Sequence, residues 1–325
     1  MDNIPYSEIP KIVLVCRTTR YKELLVKYQT VSNAKFYLES LGADFNDYVI
    51  EDEIYEKSLQ VITRELQQWG RYQVIDRQHL PNYVFAEDDI VIVLGQDGIV
   101  ANTLKYLTVQ PLIGINPDAN RWDGLLLPFT PKDVATLLPE VAKNKRTLSE
   151  VTMAEVNLTD GQRMLAVNDF FIGTRTHTSS FYDIEYQGVT EKHSSSGLIV
   201  SSGLGSTAWL SSVVAGSMAI AGSVVNSGSP AEGTPSLTND ASQLTRMSWD
   251  TQQLMFAVRE PFVTKTTSAN IVFGKIPRDA PLTIRSNMPD RGVIFSDGIE
   301  SDFIRFDAGL EATLQVSEQR GHLVH

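Results

Sequence analysis

Apolar residues follow two rhythms along the chain, and the rhythm changes near residue 148. In the first part, short continuous apolar runs alternate with stretches of helical spacing. Residues 11–16 (KIVLVC), 72–77 (YQVIDR), 90–95 (IVIVLG) and 111–116 (PLIGIN) read as strands. Residues 48–70 place Ile54, Leu59, Ile62 and Leu66 on one helical face, and 99–107 (IVANTLKYL) follow the third strand as a second helix. Continuously apolar strands separated by helices predict a parallel sheet covered on both faces.

Beyond residue 148 the runs become short, turn-bounded and rich in β-branched and aromatic residues. The stretch from Val151 to Thr174 alternates around Asp160-Gly161, a hairpin signal. FYDIEYQG, GLIVSS, LMFAVRE, ANIVFG, PLTIRS, GVIFSDG and FIRFDAG follow. They predict mostly antiparallel β-structure, interrupted by one apolar helix over 207–222. Residues 222–248, rich in Gly, Ser, Pro and Asn, read as a long surface loop. The fold class is therefore α/β plus all-β. The expected domains are 1–147 and 148–325, with the C-terminal tail returning to the first.

Composition narrows the partners. Of the 325 residues 42% are hydrophobic and 21% charged, enough for packed cores. The net charge of -11 argues against nucleic acid or an anionic membrane as the main partner. The single cysteine, Cys16, lies in an apolar run, which excludes an internal disulfide and points to a reducing compartment. The opening MDNIPYSEIP has neither the basic nor the apolar region of a targeting peptide. No stretch is expected to approach the roughly 20 apolar residues that span a bilayer. A cytoplasmic protein is expected.

Three segments can carry chemistry. Gly95-Gln96-Asp97-Gly98 lies after a buried strand and before a helix, where open parallel sheets bind ligands and helix N-termini offer free N–H groups to anions. Asp97 there could accept a hydroxyl proton or meet a metal; an ordinary Asp-Gly turn would read the same. Residues 201–209 (SSGLGSTAW) place Gly203, Gly205, Ser206, Thr207 and Trp209 between a strand and the apolar helix, as a second nucleotide-binding turn or a plain helix cap. Asn168-Asp169 could grip a ribose diol or the edge of a base, or form a turn. His177 and His193 lack zinc-ligand spacing. No Gly-x-Ser-x-Gly elbow, Walker-type Gly-Lys-Ser/Thr or Gly-x-Gly-x-x-Gly fingerprint after the first strand is present.

Taken in order, these segments resemble the NAD kinase family, and most resemble its mitochondrial-type branch. The matching pieces are Thr18-Thr19-Arg20-Tyr21, GQDG at 95–98, GINPD at 114–118, GLLLPF at 124–129, and AVNDFFIG at 166–173. SSGLIVSSGLGSTAW at 195–209, VREPF at 258–262 and Asp297-Gly298 complete them. The resemblance implies a Rossmann-like N-terminal domain, a β-rich, β-sandwich-like C-terminal domain and a site between them. It implies transfer of the terminal phosphoryl group of ATP to the 2′-hydroxyl of the NAD adenosine ribose, with Mg²⁺ or Mn²⁺, by a homodimer or homotetramer. Asp97 would be the general base. Gly95, Gln96 and Gly98 would line the phosphates, Asn168 and Asp169 would hold adenosine, and Gly203, Gly205, Ser206, Thr207 and Trp209 would shape the nucleotide pocket.

The chain departs from the family pattern at several points. Gln96 replaces a Gly, Ile99 a Thr, Asp169 a Glu, and Ser195-Ser196-Gly197 a Gly-Asp-Gly. Two rival readings are a catalytically weak nucleotide-binding regulator of the same fold and a kinase for another small alcohol.

Overall fold

The computed structural model describes residues 9–226 and 241–325. The chain forms two compact units: residues 1–149 with 321–325, and residues 150–320.

The first unit contains β1 (Ile12–Cys16), α1 (Arg20–Tyr28), α2 (Val31–Ser40), α3 (Phe45–Trp69), β2 (Tyr72–Asp76), β3 (Ile90–Leu94), α4 (Asp97–Leu104), β4 (Pro111–Ile115) and α5 (Val134–Ala142). Its parallel sheet runs β2-β1-β3-β4 and is extended by the chain's last residues, where His322 and Leu323 pair in parallel with Pro111 and Leu112. β1 and β3 are buried at every position, as a sheet covered on both faces requires. Ile12, Leu14, Ile92, Leu94, Ile113 and Ile115 pack with Ile62 and Leu66 of α3 and Leu137 of α5. α4 contacts β3 and β4 and buries Val100, Ala101 and Leu104.

The face of α3 differs from the expected one. Ile54 and Leu59 are only half-buried, whereas Glu51, Tyr55 and Ser58 are buried beside Ile62 and Leu66. Polar groups occupy the inner face because they meet the ends of the strands. α1 and α2 are additional helices: α1 carries Tyr21, Leu24, Leu25 and Tyr28 at helical spacing, half-buried against Ala34, Leu38 and Phe45, and α2 buries only Ala34 and Leu38.

The second unit is a sandwich of antiparallel strands: β5 (Leu148–Leu158), β6 (Arg163–Ala166), β7 (Asp169–Thr174), β8 (Ser180–Tyr186), β9 (Val189–Ser195), β10 (Leu198–Ser201), β11 (Gln253–Val258), β12 (Phe273–Pro277), β13 (Leu282–Ser286), β14 (Gly292–Ser296), β15 (Phe303–Arg305) and β16 (Glu311–Val324). α6 (Trp209–Asn226) and α7 (Ala241–Thr245) interrupt them. One sheet runs β12-β11-β10-β7-β14-β15; the other contains β16, β13, β8 and β9 in order, with β5 joined to β16 and β6 to β5. Phe170, Ile172, Val200, Phe256 and Ile294 of the first layer meet Tyr182, Ile184, Leu282, Ile284 and Leu314 of the second in one core.

Several expectations are corrected. β9 and β16 are additional strands. In β16, Ala312, Leu314 and Val316 alternate with half-buried Glu311, Thr313 and Gln315, a period of two that short polar intervals concealed. The strand expected over 269–274 starts only at Phe273. The loop expected over 222–248 is helical to Asn226 and again over Ala241–Thr245, and residues 227–240 lie outside the described residues. One segment, Gly205–Val224, is long and apolar enough by length and composition to cross a membrane, contrary to expectation. Its interspersed Gly, Ala and Ser residues hid that length from a search for large apolar side chains.

The segment after β4 folds back tightly over it. A Cβ on Gly114 would lie 2.0 Å from the Leu126 carbonyl oxygen and 3.1 Å from the Leu127 Cα, both backbone atoms that cannot rotate away. Gly114→Ala is therefore expected to destabilise the first unit by about 1–3 kcal/mol through overpacking. Denaturant midpoints of the two proteins measure the effect; an unchanged midpoint would show that the strap yields freely.

Candidate functional site

The first cluster is built at the carboxyl ends of β1, β3 and β4. β3 ends at Leu94, Gly95 and Gln96 turn the chain, and α4 begins at Asp97. Gln96 has extended backbone (φ -126°, ψ 162°) and caps the helix without a side-chain hydrogen bond. Its carbonyl accepts from the Ile99 and Val100 amides. The Asp97 and Gly98 amides precede those bonds, in the first turn of a helix where N–H groups lack intrahelical partners.

The two glycines of this loop do different things. A Cβ on Gly95 would lie 2.6 Å from the Ile99 Cδ1, so the bare position lets Ile99 pack under the loop. A Cβ on Gly98 would meet nothing within 4 Å, and Gly98 is exposed. The open space therefore lies on the Gly98 side. Asp97 is half-buried, and its Oδ1 accepts a 2.7 Å hydrogen bond from the Leu126 amide. The second carboxylate oxygen makes no such bond to the strap.

The strap carrying Leu126 is held by Asn116. The Asn116 amide donates to the Phe129 carbonyl (2.8 Å), its Nδ2 donates to the Trp122 carbonyl (2.9 Å), and its Oδ1 accepts from the Asp118 amide (3.0 Å). Gly124 takes φ +61° beside the Asn116 side chain, where a Cβ would lie 2.5 Å from Nδ2. The GINPD and GLLLPF segments are thus the two halves of a device that positions one carboxylate.

Behind the loop lies an ion network that the sequence reading did not assign to the site. Arg17 is buried, its Nη2 2.6 Å from Glu51 Oε1, and its side-chain stem passes beside Gly95. Arg20 Nε donates to Glu51 Oε2 (2.6 Å), and Arg121 donates to both oxygens of Asp47 (3.0 and 2.6 Å). Burial pushes the Glu51 carboxyl up, but hydrogen bonds and charge from Arg17 and Arg20 outweigh it and hold Glu51 below its ordinary value. The Tyr55 hydroxyl accepts from the Arg17 amide (2.9 Å) and donates to the Leu94 carbonyl (3.2 Å), which ties the ends of β1 and β3 together. The readable signal was Glu51 and Tyr55 four residues apart on the helix face that also carries Ile62 and Leu66.

The second cluster belongs to the other unit and joins Asn168-Asp169, the 201–206 turn and Asp297. The Ser202 amide donates to the Asn168 carbonyl (2.9 Å). A Cβ on Gly205 would lie 2.1 Å from that same carbonyl oxygen, and one on Gly203 would lie 2.0 Å from the Ser248 carbonyl oxygen. These two glycines permit close packing of protein backbone against protein backbone. Ser206 is fully buried; its hydroxyl donates to the Gly203 carbonyl (2.6 Å) and accepts from the Met247 amide (3.1 Å). It latches the turn. Thr207 is exposed.

Asn168 is half-buried, and among the described residues its hydrogen bonds run through its backbone, which leaves the side-chain amide for another partner. Asp169 is buried, and burial followed by repulsion from Asp297 pushes its carboxyl up to about 7. Trp209 lies on the wall of a cavity of about 320 Å³. Its ring is stacked 6.0 Å from Phe171, Phe171 is stacked 5.0 Å from Phe295, and the Arg259 guanidinium sits 5.5 Å from the Trp209 ring. Arg175 and Phe303 line the same cavity. An aromatic wall with guanidinium groups beside it suits a planar, anionic ligand. Among the described residues no three His, Cys, Asp or Glu side chains gather into a metal centre.

Comparison with solved structures places this fold. The chain is similar to an NAD kinase from Archaeoglobus fulgidus in complex with ATP, at 15% identity and TM-score 0.54, covering 97% of this chain and 93% of that one. It is similar to yeast NADH kinase complexed with NADH at 14% identity and TM-score 0.54, covering 97% of this chain and 83% of that one. No family model matches the chain, and no curated protein matches it by sequence. The fold is thus that of these two-domain kinases.

The Asp169 carboxyl makes a direct prediction about stability. Its folded-state value lies above the unfolded one, so the folded protein binds the proton more tightly. Stability from this group is complete below about pH 4 and is lost as pH rises through about 7. Asp169→Asn removes the titration. The mutant is expected to gain on the wild type by a few kcal/mol, as an order of magnitude, between pH 4 and pH 8. Thermal melts of both proteins across that range measure the gap, and a gap independent of pH would contradict the assignment.

Proposed function

We propose that the chain is an ATP-dependent NAD(H) kinase, transferring the terminal phosphoryl group of ATP to the 2′-hydroxyl of the adenosine ribose to make NADP(H). The observation that carries this reading is the state of Asp97. One carboxylate oxygen is fixed by the Leu126 amide at 2.7 Å, and the carboxylate stands at the start of a helix beside the open Gly98 position. The fold shared with kinases solved with ATP and with NADH supports the same reading. The matching segments taken together, with Ser195-Ser196-Gly197 in place of Gly-Asp-Gly, support the mitochondrial-type branch, and we read the protein as a cytoplasmic homodimer or homotetramer.

In the proposed reaction the first-turn amides near Gly98 and the loop backbone cradle the phosphates of the donor. Asp97 accepts the proton of the 2′-hydroxyl as that oxygen attacks the γ-phosphorus, and the bond from the γ-phosphorus to the β,γ-bridging oxygen breaks to release ADP. Fixing Asp97 beforehand removes the cost of orienting it during the reaction. Mg²⁺ ordinarily binds through one or two carboxylates together with substrate phosphates, so it would arrive as part of the MgATP substrate and would neutralise charge on the phosphates.

The second cluster offers groups that suit a nucleoside. The Asn168 side-chain amide and the Asp169 carboxyl offer a donor and acceptors to the ribose or the base edge. The cavity walled by Trp209 and Phe171, with Arg259 against it, suits a ring and a phosphate. Gln96 stands beside the base without a capping bond, so its amide is available to a donor phosphate. Ile99 fills the space under Gly95, where a shorter Thr would leave a gap.

Asp97→Asn preserves the Leu126 hydrogen bond, since Asn retains an acceptor oxygen, but it cannot take the proton. Its kcat for NADP formation is expected to fall roughly 10²–10⁴-fold. NAD affinity should stay within a few-fold of wild type. Steady-state kinetics with calorimetric NAD titration separates the two quantities, and turnover close to wild type would remove Asp97 from the role.

A further inference from the structure

Asp297 lies about 130 residues from the Asn168-Asp169 segment in sequence, and the fold sets its carboxylate directly against that segment. Oδ1 accepts from the Val167 amide at 3.0 Å and from the Asn168 amide at 2.6 Å, and Oδ2 accepts from the Val167 amide at 3.2 Å. In return the Asp297 amide donates to the Asp169 carbonyl at 2.9 Å. A single side chain therefore satisfies two consecutive main-chain amides, one of them on the fully buried Val167.

The turn that carries Asp297 does not itself require this carboxylate. Asp297 and Gly298 have φ +55° and +71° between β14 and β15, and the Ile299 amide donates to the Ser296 carbonyl at 3.0 Å. Two consecutive positive φ values make the tight hairpin turn that Asn-Gly and Gly-Gly form as well as Asp-Gly does. The backbone conformation therefore admits Asn, Asp or Gly, and the grip on residues 167 and 168 is a separate property of the side chain.

We propose that Asp297 is the positioning residue of the nucleoside-binding segment, fixing the backbone from which Asn168 and Asp169 meet the nucleotide. The proposal rests on the kinase reading for the identity of that nucleotide. The opposite side of the segment is already fixed, because the Asn168 carbonyl is held by the Ser202 amide and lies against Gly205. Asp297 supplies the other half: without it the Asn168 amide has no hydrogen-bond acceptor and the peptide plane can turn.

Asp297 also acts on Asp169 through space. β10 places the uncharged Ser201 opposite Asp169, and the turn after β14 brings Asp297 near it. Among the described residues Asp297 is the charged group that acts on the Asp169 carboxyl. Losing the Asp297 charge lowers the pH at which Asp169 ionises, while burial continues to raise it. An acceptor that ionises earlier shifts the pH dependence of nucleotide binding, which a purely structural residue would not do.

Two variants separate grip from charge. Asp297→Asn keeps the turn and an acceptor oxygen but removes the charge; Asp297→Gly keeps the turn and removes both. Hydrogen–deuterium exchange of a peptide spanning 166–169, read by mass spectrometry, follows the grip without any ligand. In Asp297→Gly the exchange is expected to accelerate at least about tenfold, and the KM for NAD to rise about tenfold, more than kcat falls. In Asp297→Asn protection stays near wild type, and the inflection of KM against pH moves to lower pH than in the wild type. Unchanged protection in Asp297→Gly, or an unmoved inflection in Asp297→Asn, would overturn the proposal. If the wild type makes no NADP, the kinase reading fails by itself; the exchange result still decides the grip, and calorimetric NAD titration of the same proteins across pH decides the charge.

Discussion

The hydrogen bond from the Leu126 amide to Asp97 Oδ1 is the interaction on which the first unit's site depends. A carboxylate at a helix start can point in several directions, and a loop Asp has little reason to hold one. Here the acceptor geometry is imposed from outside, by a backbone amide on a strap that cannot shift. Leu126 presses its carbonyl on Gly114 while its N–H reaches Asp97. The strap is in turn anchored by the three hydrogen bonds of Asn116. Sheet, strap and carboxylate thus form one rigid chain of contacts, and rigidity at this scale is what phosphoryl transfer, mostly a matter of positioning and charge, requires.

The second unit solves a similar problem with different means. The segment proposed to bind the nucleoside is a stretch of backbone whose polar groups are satisfied by the rest of the unit: a carboxylate at its amides, a serine amide at its carbonyl, and a bare Gly205 where any side chain would collide. Buried amides and carbonyls without partners are costly, so each of these contacts restricts the segment. The consequence is that two carboxyl groups, Asp169 and Asp297, lie close together, and burial with mutual repulsion leaves Asp169 poised near neutral pH. Positioning and titration arise here from the same arrangement.

Much of the fold was legible because the strands of the first unit are continuously apolar and those of the second alternate. The strands of β1, β3 and β4 and the hairpin at Asp160-Gly161 could be read directly. β16 was hidden because Glu311, Thr313 and Gln315 sit on its outward positions, and α1 because its apolar stripe is short and only half-buried. The site was legible only in part. Asp97 could be singled out as a candidate because it stands at a strand-to-helix junction, where parallel sheets bind ligands, and Asn168 because it is a polar residue at the start of a buried strand. The jobs of individual glycines could not: Gly203 and Gly205 read as anion-binding positions, yet their bare Cα atoms face protein carbonyls. Arg17, Glu51 and Asp297 were unreadable as a group because their partners are distant in sequence, and only folding reveals which amide a carboxylate will meet.

The proposed reaction transfers a phosphoryl group to one particular hydroxyl, and its product identifies that hydroxyl. Purified protein is incubated with MgATP and NAD, and the product is analysed by an NADP-specific dehydrogenase and by phosphorus NMR. The expected product is NADP carrying its phosphate on the adenosine 2′-oxygen, with ADP formed in equal amount. Unchanged NAD and ATP in the presence of demonstrable nucleotide binding, or a phosphate on any other hydroxyl, would contradict it.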